Sequence, residues 1–228
     1  MKPLFLDTET TGNIPGKDRL VSLAYKLDNT VVHELFTPPI PISIDAMATH
    51  HITPAMLKDK PAFADSPTAQ TLQQLLNEHV LVAHNAAFDI AMLTIEGLTV
   101  PQYIDTVRVA RALDNEGKIP RFSLQYLRYL LDLEVLNAHA HDALGDVLVL
   151  EALYNRLLHK KTMEEMIKIS QEPALIHRIN FGKYKGELLK DVAQKDPRYL
   201  KWLLGQKEEN NNNNSEEDWI YSIKKYLG

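Results

Sequence analysis

Strand-like and helix-like segments alternate in the first part of the chain, and this alternation restricts the fold more than any other feature. The predicted strands are 3–8, 20–28, 31–38 and 80–85, with a further strand end at 103–106. Helical spacing of apolar residues lies between them, for example at 68–79. Strands that alternate with helices predict an α/β layer fold, and the hairpin around Asp28 and Asn29 makes the sheet mixed.

The first strand ends in two carboxylates on one face. Asp7 and Glu9 follow the apolar run "LFL", and side chains alternate across a strand. Both acids therefore point the same way, whereas Thr8 points to the other face, where we expect it to pack. Like charges side by side destabilise a sheet, so something must compensate them.

Two further acids lie near helix starts. Asp89 in "HNAAFD" lies one turn into a helix that follows a strand, and Asp146 in "HDALGD" lies in the first turns of another helix. Strand ends and helix starts gather at one cleft in open α/β sheets, so these acids could meet Asp7 and Glu9 there. Two carboxylates 4 Å apart repel by about 4 kcal/mol at an effective dielectric of about 20. Protons or cations must therefore intervene, and a carboxylate set with a nearby His suits two hard ions, Mg²⁺ or Mn²⁺.

The segments "FLDTETTG", "HNAAFD" and "HDALGD" resemble the three exonuclease motifs of DnaQ-like 3′→5′ exonucleases, and the H-x-A-x-x-D form of the third is typical of the DEDDh branch. The resemblance spans residues 3–160 and keeps the motif order. It implies a ribonuclease H-like fold, with a central mixed β-sheet flanked by helices. The later segment "FGKYKGELLKDVAQKDPRYLKWLL" is similar to the C-terminal module of bacterial exonuclease X.

The resemblance also implies a role for each matched residue. Asp7, Glu9 and Asp146 would hold the catalytic ion, with Asp7 bridging to the second ion and Asp89 completing the shell of that second ion. His141 would take the proton from the attacking water, and a 5′-mononucleotide would be released. His139 is a local competitor, but only His141 has the motif spacing.

The segment "AMATHHITPAML" resembles the family segment that lines the pocket for the terminal nucleotide. His50 and Ile52 are the expected contacts there, together with Met47. Thr10 and the adjacent backbone would hold the terminal 3′-hydroxyl.

Charge is distributed unevenly along the chain. The net charge is −5, yet residues 174–205 carry seven Lys and Arg against three acids, a local +4. We therefore divide the chain into an exonuclease domain at 1–165 and a small basic C-terminal module at 174–228, with a flexible Asn-rich loop at about 206–217. The basic residues could contact DNA phosphates or form a solvated face, and the aromatic residues among them could equally be the core of the module.

The leading function is a metal-dependent 3′→5′ DNA exonuclease acting on single strands and duplex 3′ ends, by analogy in DNA repair. An RNA-trimming exonuclease stays open, because the motifs do not separate DNA from RNA, and so does a proofreading subunit of a polymerase. A phosphatase with Asp7 as nucleophile and a non-catalytic nucleic-acid binder are weaker alternatives. The N-terminus has no signal-peptide pattern, no apolar stretch approaches about 18 residues and there is no cysteine, so we expect a cytoplasmic protein without membrane contact.

Overall fold

The computed structural model describes residues 1–135, 143–211 and 216–228. The strands are β1 (Pro3–Thr10), β2 (Leu20–Leu27), β3 (Thr30–Leu35), β4 (Val80–Ala83) and β5 (Tyr103–Asp105). The helices of the described residues are α1 (Ile44–His50), α2 (Pro54–Leu57), α3 (Pro67–Glu78), α4 (Ala86–Ile95), α5 (Thr106–Leu113), α6 (Leu124–Leu130), α7 (Ala143–Leu158), α8 (Met163–Ser170), α9 (Leu189–Lys195), α10 (Pro197–Glu209) and α11 (Glu217–Leu227). Two short 3₁₀ turns lie at Phe63–Asp65 and Gly182–Tyr184.

The five strands form one mixed sheet in the order β3-β2-β1-β4-β5. β1, β2 and β3 pair antiparallel, whereas β4 pairs parallel with both β1 and β5. The predicted hairpin is confirmed: Asp28 joins β2 to β3 with a positive φ of 52°. The α/β class with a mixed central sheet is therefore confirmed as well.

Alternation along β1 sends its side chains into two different cores. Phe5 packs with Val147 and Leu150 of α7, on one face of the sheet. Leu4 and Leu6 pack on the other face, in a cluster that holds residues of α3 and α4. Asp7 and Glu9 follow Phe5 in the alternation, so they belong to the α7 face, whereas Thr8 belongs to the α3 and α4 face.

The C-terminal module has its own small core. Ile179, Leu189, Val192, Leu200 and Ile223 are buried together there. Phe181, Tyr184, Tyr199 and Trp219 belong to the same cluster, whereas Trp202 is 58% exposed. Most of the aromatic residues that the sequence left between two roles are thus core residues.

The module is attached to the N-terminal part of the chain by ion pairs. Arg108 of α5 lies 2.7 Å from Glu217 and 3.0 Å from Asp218, at the start of α11. Arg111, one turn later, lies 2.6 Å from the other oxygen of Asp218. Asp218 also accepts a hydrogen bond from the backbone N–H of Ala174, at 3.0 Å. The first turn of α11 is therefore held between the domain and the linker.

Both boundaries of the predicted loop at 206–217 are wrong, because α10 extends through Glu209 and α11 begins at Glu217. Good helix formers follow Gly205 and favour this extension of α10, and Lys207 in its last turn pairs with Glu216 at 2.8 Å. The centre of the predicted loop, 212–215, lies outside the described residues. Within the part of the chain that the structure describes, no helix is long and apolar enough to cross a membrane.

Candidate active site

Three carboxylates meet at the end of β1. One oxygen each of Asp7, Glu9 and Asp146 lies within 4.8 Å of the others. α7 crosses the face of the sheet on which Asp7 and Glu9 stand, and it places Asp146 in its first turn, 9% exposed. Segments almost 140 residues apart in sequence thus supply one acidic cluster, as the sequence predicted for these three residues.

A glutamine that sequence reasoning missed holds the third carboxylate. The side-chain N–H of Gln125 on α6 donates to Asp146 Oδ1 at 2.6 Å. Gln125 stands next to buried Leu124, and Leu127 two positions on is also buried. Nothing in this helical pattern marks the glutamine, because its partner lies on another helix.

Asp89 lies in the first turn of α4 and contacts Thr8, the residue between Asp7 and Glu9. It is 4% exposed, and the hydroxyl of Thr8 donates to its Oδ1 at 2.7 Å. Burial raises the pKa of Asp89 to about 7, and the hydrogen bond from Thr8 opposes this rise. Among the described residues, Asp89 does not join the three carboxylates that lie within 4.8 Å of one another. The expectation that Thr8 only packs was wrong, since Thr8 fixes the orientation of a buried carboxyl.

A cavity of about 420 Å³ opens beside Glu9 and contains two of the predicted pocket residues, Thr10 and His50. The backbone N–H of Ile52 donates to His50 Nδ1 at 3.0 Å, so the ring is protonated on Nε2, which donates to the carbonyl of Thr10 at 3.2 Å. Burial lowers the pKa of His50 and favours this neutral form. Met47 and Ile52 instead pack with Val21 in a small apolar cluster below the cavity.

The predicted proton acceptor His141 lies outside the described residues, as do its competitor His139 and the neighbouring Asp142. α7 is described from Ala143 onward, two residues after His141. The chain therefore enters α7 next to Asp146, and His141 is close to the cluster in sequence.

His84 and Asp105 support the same edge of the sheet. His84 lies 2.8 Å from the hydroxyl of Thr106 and 2.6 Å from the carbonyl of Phe122. Asp105 accepts hydrogen bonds from the backbone N–H groups of Asn85 and Val107, and the second of these makes it the N-cap of α5. Asn85 precedes α4 with a left-handed φ of 70°. These contacts tie the end of β4 to the start of α5 and to the chain before α6.

The acidic cluster has the chemistry of a site for a hard divalent cation. All its donors are carboxylate oxygens, which Mg²⁺ and Mn²⁺ prefer. Two oxygens on opposite sides of such an ion stand about 4.2 Å apart, close to the 4.8 Å within which these oxygens lie. Two carboxylates with oxygens 4.8 Å apart repel by about 3.5 kcal/mol at an effective dielectric of about 20. A cation is therefore expected to stabilise the cluster.

Comparison with known proteins gives two family matches. Residues 4–154 match a family described as exonuclease, and residues 179–208 match the exodeoxyribonuclease X-like C-terminal family. The chain is 35% identical over 204 residues to exodeoxyribonuclease 10 of Escherichia coli K12, covering 87% of this chain and 88% of that protein. It is 29% identical to the DNA polymerase III subunit epsilon of Rickettsia felis, covering 69% and 74%.

A solved structure gives a similar result. The chain is 31% identical to exonuclease X in complex with 5′-overhanging duplex DNA, with a TM-score of 0.58. This match covers 74% of the present chain and 99% of that one. About a quarter of the present chain therefore has no counterpart in the solved structure.

Proposed function

The chain belongs to the DnaQ-like 3′→5′ exonuclease family, and on that premise we propose that it is a DNA exonuclease of the exonuclease X type. It releases 5′-mononucleotides from single-stranded DNA and from duplex 3′ ends, with Mg²⁺ or Mn²⁺, in DNA repair. The observation that carries the proposal is the convergence of Asp7, Glu9 and Asp146 within 4.8 Å, at the position that the family motifs require.

We assign the catalytic cation to Asp7, Glu9 and Asp146, and a second cation to Asp7 and Asp89. Two such cations, when bound, neutralise charge on the phosphodiester and supply a nucleophile at neutral pH. The contact from Gln125 holds Asp146 in position for this role. Support for Asp89 comes from its motif and from its place in the first turn of α4, at the same edge of the sheet.

His141 takes the proton from the attacking water in this proposal. Its spacing to Asp146 supports the assignment, because His141 stands five positions before Asp146, as the H-x-A-x-x-D motif requires of a base and a ligand. Replacing His141 with alanine should reduce turnover by about 100-fold while cation binding is kept.

The cavity beside Glu9 receives the terminal nucleotide. The hydroxyl of Thr10 donates to the carbonyl of Gly12, so it is left as an acceptor for the 3′-hydroxyl of the substrate. Both ring nitrogens of His50 are already hydrogen-bonded within the protein, so His50 contacts the nucleotide through the carbon atoms of its ring.

The test uses a DNA oligonucleotide that is labelled at its 3′ or its 5′ end. With Mg²⁺, the 3′ label should appear at once as a mononucleotide, whereas the 5′ label should appear as a ladder of shortened strands. The Asp7→Asn variant should do neither, and the exposed Asp59→Asn variant, outside the cavity, is the matched control for charge. Release of the 5′ label first, internal cutting, or full activity of Asp7→Asn would contradict the proposal. A matched RNA strand tests the RNA-trimming alternative.

A proofreading subunit is the second candidate, because the match to the subunit epsilon of Rickettsia felis covers 69% of this chain. The match of residues 179–208 to the exonuclease X-like C-terminal family favours the first candidate. Co-purification with a DNA polymerase would support the second one.

A further inference from the structure

The exonuclease domain and the C-terminal module enclose a cleft of about 550 Å³ that has a strong charge bias. Four cationic side chains line the cleft: Arg111, Arg121, Arg178 and Lys185. Within the described ranges, no carboxylate lines it. The whole chain has a net charge of −5, so this bias is a local property of the cleft. The cavity beside Glu9, in contrast, is lined by three acids and one lysine.

Three of these four cations are available for a ligand. Arg121 and Lys185 are exposed, and in the part of the chain that the structure describes neither forms an ion pair. Arg178 donates only to the carbonyls of Gly117 and Gly186, at 2.9 and 2.8 Å. Arg111 is already paired with Asp218. The cleft therefore presents cations from both parts of the chain, Arg121 from the domain and Arg178 and Lys185 from the module.

The cleft lies next to the acidic cluster. The parallel register of β1 and β4 pairs Phe5 with Val82, so Asp7 and His84, each two residues further on, follow at the same end of the two strands. His84 lines the cleft. On the other wall, Ser123 lines the cleft two residues before Gln125, which contacts Asp146. One residue on each of two walls, His84 and Ser123, is thus near the cluster, the first through the strand register and the second through the chain that leads to Gln125.

Aromatic rings complete the lining. Phe122 of the domain and Trp219 of the module both border the cleft. Cations combined with aromatic rings are typical of grooves for single-stranded nucleic acid, in which bases stack and phosphates are neutralised.

Resting on the proposed function, we infer that this cleft binds the single DNA strand on the 5′ side of the scissile phosphate. The terminal nucleotide lies in the cavity beside Glu9, the scissile bond lies at the acidic cluster, and the preceding nucleotides run between the domain and the module. Arg121 and Lys185 neutralise phosphates from opposite walls. The module is then a substrate-binding wall of the exonuclease, and its removal opens one side of the strand path.

The test is strand binding by the double variant Arg121→Gln, Lys185→Gln in an inactive Asp7→Asn background. Fluorescence anisotropy with a 16-nucleotide DNA strand gives the affinity as a function of salt. The loss of two phosphate contacts should reduce the slope of log affinity against log salt concentration by about 1.4. If the parent and the variant bind equally at 1 M salt, the variant should bind about 25-fold more weakly at 0.1 M. The matched control is Lys58→Gln, Lys201→Gln, which removes two exposed cations outside the cleft.

The inference would be overturned if both double variants reduced the affinity for the DNA strand equally, or if the cleft variant did not reduce it. It would also be overturned if the cleft variant lost affinity for blunt duplex DNA and kept its affinity for the single strand. In the active background, the rise in KM caused by the cleft variant should grow with strand length, and an equal rise for a dinucleotide would also overturn it. Hydrolysis by the wild-type chain tests the proposed function separately, because the binding measurement requires no cleavage.

Discussion

Protonation of His84 at acidic pH should lower the free energy of unfolding of the protein. Its Nε2 lies 2.6 Å from the carbonyl of Phe122, which can only accept, so Nε2 carries a proton. Its Nδ1 lies 2.8 Å from the hydroxyl of Thr106. Burial lowers the pKa of His84 from 6.5 to about 4, because the charged ring loses its hydration.

The sign and size of the effect follow from this pKa. The folded state binds the proton less readily than the unfolded state, so stability is complete above pH 6.5 and is lost as the pH falls towards 4. Between pH 7.5 and 5.0 the free energy of unfolding should decrease by about 2 kcal/mol through His84 alone.

Urea unfolding of the wild type and of His84→Gln at pH 7.5 and 5.0 measures this contribution. Glutamine keeps one donor and one acceptor for Phe122 and Thr106 but does not titrate. The variant should therefore lose about 2 kcal/mol less than the wild type over this range. His159→Gln, the same substitution at an exposed position, should behave as the wild type does. Equal pH dependence in His84→Gln and the wild type would refute the reasoning.

Three further outcomes are expected. Gln125→Leu removes the hydrogen-bond donor to Asp146, so kcat/KM for an oligonucleotide should fall by about 10- to 100-fold. The midpoint of urea unfolding should change little. An unchanged kcat/KM would count against a positioning role for Gln125. Arg108→Met breaks the ion pairs to Glu217 and Asp218, so the free energy of unfolding should fall by about 2 kcal/mol. Amide hydrogens of residues 216–228 should also exchange faster in this variant. An exchange rate equal to that of the wild type would show that these pairs do not hold α11. EDTA should stop hydrolysis and Mg²⁺ or Mn²⁺ should restore it; hydrolysis that survives chelation would contradict a divalent-ion mechanism.

Local patterns predicted much of the fold and of the acidic cluster. The alternation along β1 places Asp7 and Glu9 on one face, and the apolar spacing of α7 points Asp146 at the same face, so these residues could be found from periodicity and motif. The contacts that hold the site were not predictable in this way. Thr8 reaches a partner 81 residues away, and Gln125 reaches one 21 residues away on another helix. Such pairs depend on tertiary packing, which neither propensity nor spacing encodes.

The boundary between the domain and the module shows the same limit. The acidic end of the Asn-rich stretch has the composition of a solvated loop, which led to the predicted loop at 206–217. Glu217 and Asp218 instead begin α11 and pair with Arg108 and Arg111, more than 100 residues earlier. Their charge was visible in the sequence, but their partners were not.

The most direct test of the central claim is thermal unfolding with EDTA and with Mg²⁺, for the wild type and for Asp146→Asn. Asp146→Asn removes two of the three repulsive pairs, so it should raise the Tm in EDTA. Each pair is worth about 3.5 kcal/mol at 4.8 Å and an effective dielectric of about 20. Mg²⁺ should raise the Tm of the wild type, by the equivalent of about 2.7 kcal/mol at 100 times the Kd, and should raise that of the variant much less. An equal Mg²⁺ response of the two proteins, or none in the wild type, would contradict a cation site formed by β1 and α7.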